Sequence, residues 1–421
     1  MFLALVAASA ACSPHTSSEP AGEAIAPAVA DAEPATSPPA APTLPESVPP
    51  APMIASLSAG VHHTCAIRRG QLLCWGLGRL GILGRGEDVP EDSWTPKPVI
   101  GIAGVVEVVA DYDYTCARTG DGAVHCWGDN DAGQLGVGDL DPRARPTRVG
   151  EWTAERIAAG FRRACAVGQD GARCWGTGAF GDGESRSREV TPRGIDGLAG
   201  VDDLVLGSGH ACALQGGEVR CWGEDASGQL GDGEGGCRYE RALCAKSRCL
   251  PPKECKRSYT PVTPLGLPPI VEIALAGSQS YFRDRDGRVW ETGQVGTTMD
   301  FGADNPRYRP SVIDGLPPMV EIDAGGSHAC GRTADGEVFC WGNNAFGQLG
   351  HPPRPGGGAE GPSRVPGLPP AVKLALGFYS TCAITGSGEA MEAWCWGDNG
   401  YGQLGDGTAE RRHAPVRVRW E

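Results

Sequence analysis

The sequence predicts an all-β protein: a seven-bladed β-propeller of four-stranded antiparallel blades, with the ring closed by the C-terminal strand. Three observations lead there. One unit recurs seven times, the units consist of short apolar runs bounded by turn residues, and 64 Gly and 35 Pro are spread over 421 residues. That much Gly and Pro argues against a helical protein. Short β-branched runs between turn residues read as strands. Four such strands in about fifty residues make one propeller blade, and small sheets of this kind close into a ring.

The hub of the unit is Cys-Trp-Gly, with its glycine at Gly76, Gly128, Gly176, Gly223, Gly293, Gly342 and Gly397, at intervals of 52, 48, 47, 70, 49 and 55. Each unit opens on a short apolar stretch ending in Gly, such as Ile157-Ala158-Ala159-Gly160, and a Cys follows five residues later, as from Gly207 to Cys212. A Gly-bearing turn comes next, such as Asp121-Gly122, and then the hub strand. The hub leads into a Gly-Gln-Leu-Gly loop at Gly133–Gly136, Gly228–Gly231, Gly347–Gly350 and Gly402–Gly405. The unit ends on Pro-x-x-Val or a variant, as at Pro146–Val149, Pro362–Val365 and Pro415–Val418. Tight turns with φ > 0 explain the glycines, and the hub Trp has the apolar area to fill a wedge between blades. Unit three ends its loop early, between Gly176 and Gly183, and unit five is degenerate at Gly293. The first unit has no Pro-x-x-Val strand ahead of it, so Pro415–Val418 is expected to join the sheet begun near Ile54 and seal the ring.

The string Cys-Trp-Gly-x-Asn/Asp-x-x-Gly-Gln-Leu-Gly resembles the regulator of chromosome condensation repeat, in the Cys-before-Trp form found in exported bacterial proteins. The resemblance covers residues 54–421 and implies a seven-bladed propeller. Eukaryotic members of that family exchange guanine nucleotide on a small nuclear GTPase, which makes exchange activity one reading. A fold of this kind hosts many activities, so the resemblance says more about architecture than about function.

Composition narrows the rest. A formal net charge of -14 repels nucleic acid and anionic headgroups. Seventeen Cys point to an exported chain, since the cytosol keeps thiols reduced. Residues 1–12 read as a signal peptide, with Ser9-Ala10-Ala11-Cys12 resembling a lipoprotein cleavage site and Cys12 as the lipidated residue. Ser9 stands where Leu is usual, and no Lys or Arg precedes Arg68. Residues 13–53 read as a disordered tether: Ser13–Pro52 holds 11 Pro, five acids and no Lys or Arg. The propeller occupies 54–421, with an insert at 237–257, and no later apolar run is long enough to span a bilayer. The expected location is extracytoplasmic, either lipid-anchored to the cell envelope or secreted.

Twelve Cys fall in pairs within six units: Cys65/Cys74, Cys116/Cys126, Cys165/Cys174, Cys212/Cys221, Cys330/Cys340 and Cys382/Cys395. Each pair flanks one hairpin turn, where facing Cβ atoms come close to disulfide reach. In unit five, Phe282 and Glu291 align with the two Cys, so both are lost together, as paired use requires and independent buried thiols do not. Two Cys per unit lack the further ligands zinc needs. Each bridge adds about 2–3 kcal/mol on loop-closure grounds.

The 70-residue interval carries Cys237, Cys244, Cys249 and Cys255. Their spacing does not match a zinc ribbon, and two local disulfides of open connectivity are expected. From Arg238 to Arg257 there are seven basic and two acidic residues. This stapled loop is the candidate recognition element, with Arg238, Tyr239, Arg241, Lys246, Arg248, Lys253, Lys256 and Arg257 as candidate contacts. His63, His210 and His328 lie two residues before the first Cys of their units, where other units place Tyr114, Arg163, Ser280 and Ser380. A recurring register of this sort indicates a structural niche. The Gly-Asp-Gly runs at Gly181–Gly183, Gly231–Gly233 and Gly405–Gly407 offer one Asp each, too few for a calcium loop. No nucleophile elbow, P-loop or zincin motif is present.

The sequence therefore reads as a monomeric, non-enzymatic, extracytoplasmic propeller without cofactor or metal, which binds a protein or glycan and no nucleic acid. Its relation to a membrane would run only through the lipid anchor. An inhibitor of an extracellular enzyme is the alternative, signalled by loop aromatics such as Phe180, Phe346 and Tyr401. The export signal, the paired Cys and the missing basic DNA-binding tail weigh against nucleotide exchange.

Overall fold

The structure is a computed structural model, describing residues 53–86, 91–238, 254–293, 308–356 and 358–420. All of these fall within the unit Pro50–Glu421. Seven four-stranded antiparallel sheets follow one another along this unit. Blade one consists of Ile54–Ala59, His63–Arg68, Gln71–Gly76 and Ser93–Pro98, and blade two of Val105–Ala110, Tyr114–Thr119, Val124–Gly128 and Arg143–Arg148. Blade three is Arg156–Gly160, Arg163–Gly168, Gly171–Ala179 and Ser185–Ile195; blade four is Asp203–Leu206, His210–Gln215, Glu218–Glu224 and Arg257–Val262. Blade five is Ile270–Leu275, Gln279–Asp284, Val289–Gly293 and Ser311–Val312; blade six is Glu321–Ala324, His328–Arg332, Val338–Asn343 and Ala359–Arg364. Blade seven is Ala371–Leu376, Ser380–Thr385, Glu392–Gly397 and Arg412–Arg417. No helix among the described residues is long and apolar enough to cross a membrane.

The core is divided among the seven blade junctions. Each buried cluster combines side chains from two neighbouring blades, such as Trp127 with Ile82 and Leu83, or Trp222 with Phe180. Hub Trp side chains fill these wedges: Trp75, Trp127, Trp175, Trp222 and Trp396 are all under 2% exposed. Each indole also donates to a carbonyl of the preceding blade, as Trp127 does to Ile82 at 2.9 Å and Trp175 to Gln134 at 2.8 Å. Buried polar groups require such partners.

Ring closure departs from expectation. Arg412–Arg417 pairs with Glu392–Gly397 of its own blade, and the sheet begun at Ile54 is completed by Ser93–Pro98. The Pro-x-x-Val signal or a variant of it ends each unit, and in blade one it is Pro96–Val99. The ring closes through contacts between blades one and seven instead, including backbone bonds from Phe378 N–H to the Gly60 carbonyl at 3.1 Å and from Gly407 N–H to the Trp94 carbonyl at 3.0 Å. Trp75 Nε1 and Thr64 Oγ1 donate to the Gln403 carbonyl at 3.0 and 2.9 Å, and Trp75 meets Trp420 edge-on at 5.9 Å. Ile54, Leu57, Ile384, Leu404 and Val418 share one cluster at this junction.

The six Cys pairs are disulfides, each joining directly opposed residues of the second and third strands of its blade. Cys65 is bonded to Cys74, Cys116 to Cys126, and Cys165 to Cys174. Cys212 is bonded to Cys221, Cys330 to Cys340, and Cys382 to Cys395. All six pairings are those expected from the sequence. All twelve are at most 1% exposed, and each pair lies inside a buried cluster at a blade junction. The reason is the register: Cys74, Cys126, Cys174, Cys221, Cys340 and Cys395 each precede the hub Trp, on strands packed against neighbouring blades on both faces. These bridges staple the blades from within and present no surface to a partner.

Blade five corrects the sequence register by one residue. Gln279 faces Gly293, which places Tyr281 and Glu291 at the Cys positions and Gln279, not Ser280, at the histidine position. The first turn of blade five has the usual length, Ala276 N–H donating to the Gln279 carbonyl as Gly60 N–H does to His63, but its glycine, Gly277, comes one residue later; a one-residue slip in the count turns every side chain to the other face. Thr292 takes the hub Trp position and donates to the Gly228 carbonyl at 2.8 Å.

Candidate protein-recognition face

Strand alternation sorts the loops onto two faces. Turns between first and second strands share one face with the loops that follow Cys-Trp-Gly. The hairpin turns flanked by the disulfides lie on the other face. On the first face the ends of the seven innermost strands ring a cavity of about 130 Å³ at the mouth of the central channel.

Aromatic side chains gather at this mouth. Tyr112 of blade two lies 4.6 Å from Phe161 of blade three and 6.0 Å from Phe378 of blade seven, edge-on to both. Phe378 packs on Tyr379 at 4.6 Å, Tyr379 on Phe346 at 4.7 Å, and His62 on Tyr401 at 4.8 Å. Guanidinium groups cover the edge of the patch: Arg411 lies 4.6 Å over Phe346 and Arg162 lies 5.5 Å from Phe161. Three ion pairs surround it, Arg79–Asp113 at 2.8 Å, Arg162–Asp131 at 3.0 Å and Arg411–Asp398 at 3.5 Å. Aromatic and Arg side chains are the groups that concentrate binding energy at protein interfaces. Phe180, singled out in the sequence, is not on this face: it is 1% exposed and packs with Trp222.

The insert emerges from the third-to-fourth-strand loop of blade four, and so from this same face. Tyr239, Arg241, Cys244, Lys246, Arg248, Cys249 and Lys253 lie outside the described residues, as do the side chains of Cys237 and Arg238. At the stem, Cys237–Arg238 pairs antiparallel with Glu254–Cys255, and Cys255 is disulfide-bonded. Lys256 is tied down at this stem. It bonds Asp232 at 3.1 Å, pairs with Glu234, and lies 3.9 Å from Asp225. Arg257 pairs with Glu224 at 3.7 Å. Three other blades hold Asn at the position of Asp225: Asn130, Asn344 and Asn399 each accept from the Leu five residues on and donate with the amide nitrogen. Asp225 keeps the acceptor, to Leu230 at 3.0 Å, but has no donor of its own. Lys256 stands in for the missing N–H. Burial pushes the Asp225 carboxyl up to about 7, and the nearby Asp232 and Glu234 charges add to this against Lys256.

The Gly-Asp-Gly carboxylates serve loop ion pairs. Asp182 holds Arg186 at 2.7 Å, Asp232 holds Lys256, and Asp406 holds Arg412 at 2.8 Å. No group of His, Cys, Asp and Glu suited to a metal occurs among the described residues.

The recurring position before the first Cys is a latch between blades. His63 meets Thr115 at 2.8 Å, His210 meets Ser280 at 2.9 Å, and His328 meets Thr381 at 2.8 Å. Burial lowers all three to about 3, so they are neutral imidazoles near pH 7. Blades three, four and six offer Ala164, Ala211 and Ala329 where the others offer a hydroxyl. Facing the first two, Tyr114 and Arg163 reach the backbone instead. Tyr114 donates to the Gly160 and Arg163 carbonyls, and Arg163 to those of Gly207 and His210.

Sequence reading missed a second set of inter-blade links. Glu107, Glu272 and Glu321 each accept a backbone N–H from the next blade, at Ile157, Ile322 and Leu374, and each holds a second-strand Arg. The signal was present as Val-Glu at the same place in three first strands, Val106-Glu107, Val271-Glu272 and Val320-Glu321.

A disulfide-reinforced, seven-bladed propeller with one loop-bearing aromatic face is thus the class of protein defined. Residues 69–118, 121–167, 335–384 and 392–421 match the Regulator of chromosome condensation (RCC1) repeat, and a second description of that repeat matches 105–134, 319–348 and 371–403. The chain belongs to this repeat family. It is similar to the ultraviolet-B receptor UVR8 of Arabidopsis thaliana, 34% identical over 151 residues, which are 33% of this chain and 34% of the receptor. It is also similar to the human E3 ubiquitin-protein ligase HERC2, 32% identical over 190 residues, which are 42% of this chain and 4% of the ligase. The chain therefore spans about a third of the receptor's length and a small fraction of the ligase's. Prp20p of Saccharomyces cerevisiae, described with its binding to Gsp1p and histones, has the same fold, with a TM-score of 0.66 at 19% identity over 87% of both chains. The same yeast protein bound to Kap60 gives 0.65 at 19% identity over 91% of both.

Proposed function

We propose that this protein is a non-enzymatic, extracytoplasmic binding propeller that takes a protein partner on its aromatic face. The observation that carries the reading is the convergence of Tyr112, Phe161 and Phe378 from three blades at the channel mouth, next to Arg162 and on the face from which the insert projects. Six buried disulfides fit an oxidising compartment. Residues 1–12 would direct export, with Cys12 carrying the lipid and residues 13–53 acting as the tether. Relatives support a protein partner: yeast Prp20 is described with Gsp1p, histones and Kap60. The test is affinity capture from the envelope fraction of the source cells under oxidising conditions. The full chain is compared with a Phe161→Ser/Phe378→Ser variant whose melting curve is unchanged. A partner held by the first and lost by the second supports the reading; a partner held equally by both overturns it.

A further inference from the structure

We propose that the pocket between blades three and four is a carboxylate-binding site built around Arg163. The first observation is a buried cation with no ion pair within 4 Å among the described residues; Asp111 and Glu224 act on it only from farther away. Arg163 is 2% exposed, and its guanidinium donates to carbonyls: Ala179 at 3.1 Å, Gly207 at 3.2 Å and His210 at 2.6 Å. Its Nε–H has no acceptor. Guanidinium carries five N–H donors, and buried charges are normally paired.

The latch does not need this charge. Tyr114 faces the same problem one junction earlier, an Ala where other blades offer a hydroxyl, and solves it with a neutral phenol donating to the equivalent two carbonyls. The charge on Arg163 is therefore surplus to holding the blades together.

The second observation is the space beside it. The loop of blade three is short, running from Phe180 to Glu184, where other blades carry Gly-Gln-Leu-Gly. It leaves a pocket of about 180 Å³ lined by Arg163, the hydroxyl-bearing Thr177, Ser185 and Ser208, and Glu224 and Arg257. Glu224 is paired with Arg257 at 3.7 Å and makes no direct contact with Arg163, although its charge is felt there. Hydroxyl donors around a guanidinium that has no direct ion pair fit a carboxylate. Phe161 and Ser208 also line the channel-mouth cavity, so the pocket adjoins the aromatic face.

Two sources supply that chemistry: a free small carboxylic acid, or an Asp or Glu side chain of a protein seated on the face. The site stands without the proposed face; only the second source rests on it. The test titrates the full oxidised chain by calorimetry with acetate, with acetamide as the neutral control, and with end-blocked Gly-Glu-Gly against Gly-Gln-Gly. Arg163→Tyr keeps the blade-two form of the latch and removes the charge. Ser208→Trp, at an exposed turn, fills the pocket, and Ser278→Trp places the same side chain on blade five. The expected result is saturable binding of the carboxylates and not the amides, at least tenfold weaker in Arg163→Tyr and Ser208→Trp and unchanged in Ser278→Trp. Glu224→Gln frees Arg257 and tightens binding. Acetate bound as well as the peptide assigns a free acid, and a tenfold preference for the Glu peptide assigns a protein side chain. No saturable carboxylate binding, or equal binding by the Ser208→Trp chain, overturns the proposal, and neither result bears on capture of a partner by the aromatic rings.

Discussion

His328 offers a sharp test of how the blades are latched. Its imidazole is fully buried, meets Thr381 at 2.8 Å, and is pushed down to about 3 by burial alone. In the unfolded chain it titrates near 6.5. The folded pKa is the depressed one, so the unfolded state takes up the proton first, and stability falls as pH drops below about 6.5. At pH 5 the unfolded chain gains about 2 kcal/mol from this one group, against about 0.2 kcal/mol at pH 7. The wild-type curve does not isolate the effect. Burial raises Asp111 and Asp323 to about 6 and Asp225 to about 7, and these groups favour folding as pH falls over the same range. The comparison is therefore with His328→Gln, which keeps an amide for Thr381 and removes the titration. Denaturant unfolding at pH 7, 6 and 5 is expected to show wild type losing about 2 kcal/mol more than the variant between pH 7 and 5. Parallel curves would refute a buried neutral imidazole at this latch.

Further outcomes follow from the same structure. Replacing Cys65 and Cys74 together by Ala lowers stability by about 2–3 kcal/mol in chemical denaturation, the loop-closure value for a separation of 9. Trp75→Ala opens the junction of blades one and seven and costs about 3–5 kcal/mol, the range for a fully buried Trp. Asp225→Asn restores the amide donor of the other blades. Because the folded pKa of Asp225 is raised to about 7, its contribution is lost as pH climbs from about 4 to 7, so the variant should gain on the order of 2 kcal/mol at pH 8 and little at pH 4. Equal gains at both pH values would contradict the assignment.

The fold was legible because its determinants repeat. Six copies of the hub and a seventh glycine at blade spacing, Gly293, gave the blade number, and opposed Cys positions gave the hairpins. What misled was a local change within a repeat. In blade five Ala276 takes the place of the turn glycine and Gly277 follows it, so spacing counted from Gly277 put the Cys position at Phe282 instead of Tyr281. Ring closure was misjudged because Pro96–Val99 went unnoticed as the end of the first unit. The candidate face was only partly legible. Phe346 and Tyr401 were visible as loop aromatics, but Tyr112, Phe161 and Phe378 are far apart in the chain and meet only because the ring brings blades two, three and seven to one channel mouth. Arg163 looked like one more variant of the latch, and its surplus charge emerges only beside Tyr114.

The most direct test of a recognition face is site-specific photocrosslinking in the source cells. Benzoylphenylalanine is placed at Phe161 or Tyr401 on the aromatic face, and at Ile100 or Asp170 on the opposite one, all exposed positions. The account predicts one discrete protein adduct from the first two positions and none from the second two. Adducts confined to Ile100 and Asp170 would contradict it and move recognition to the hairpin face.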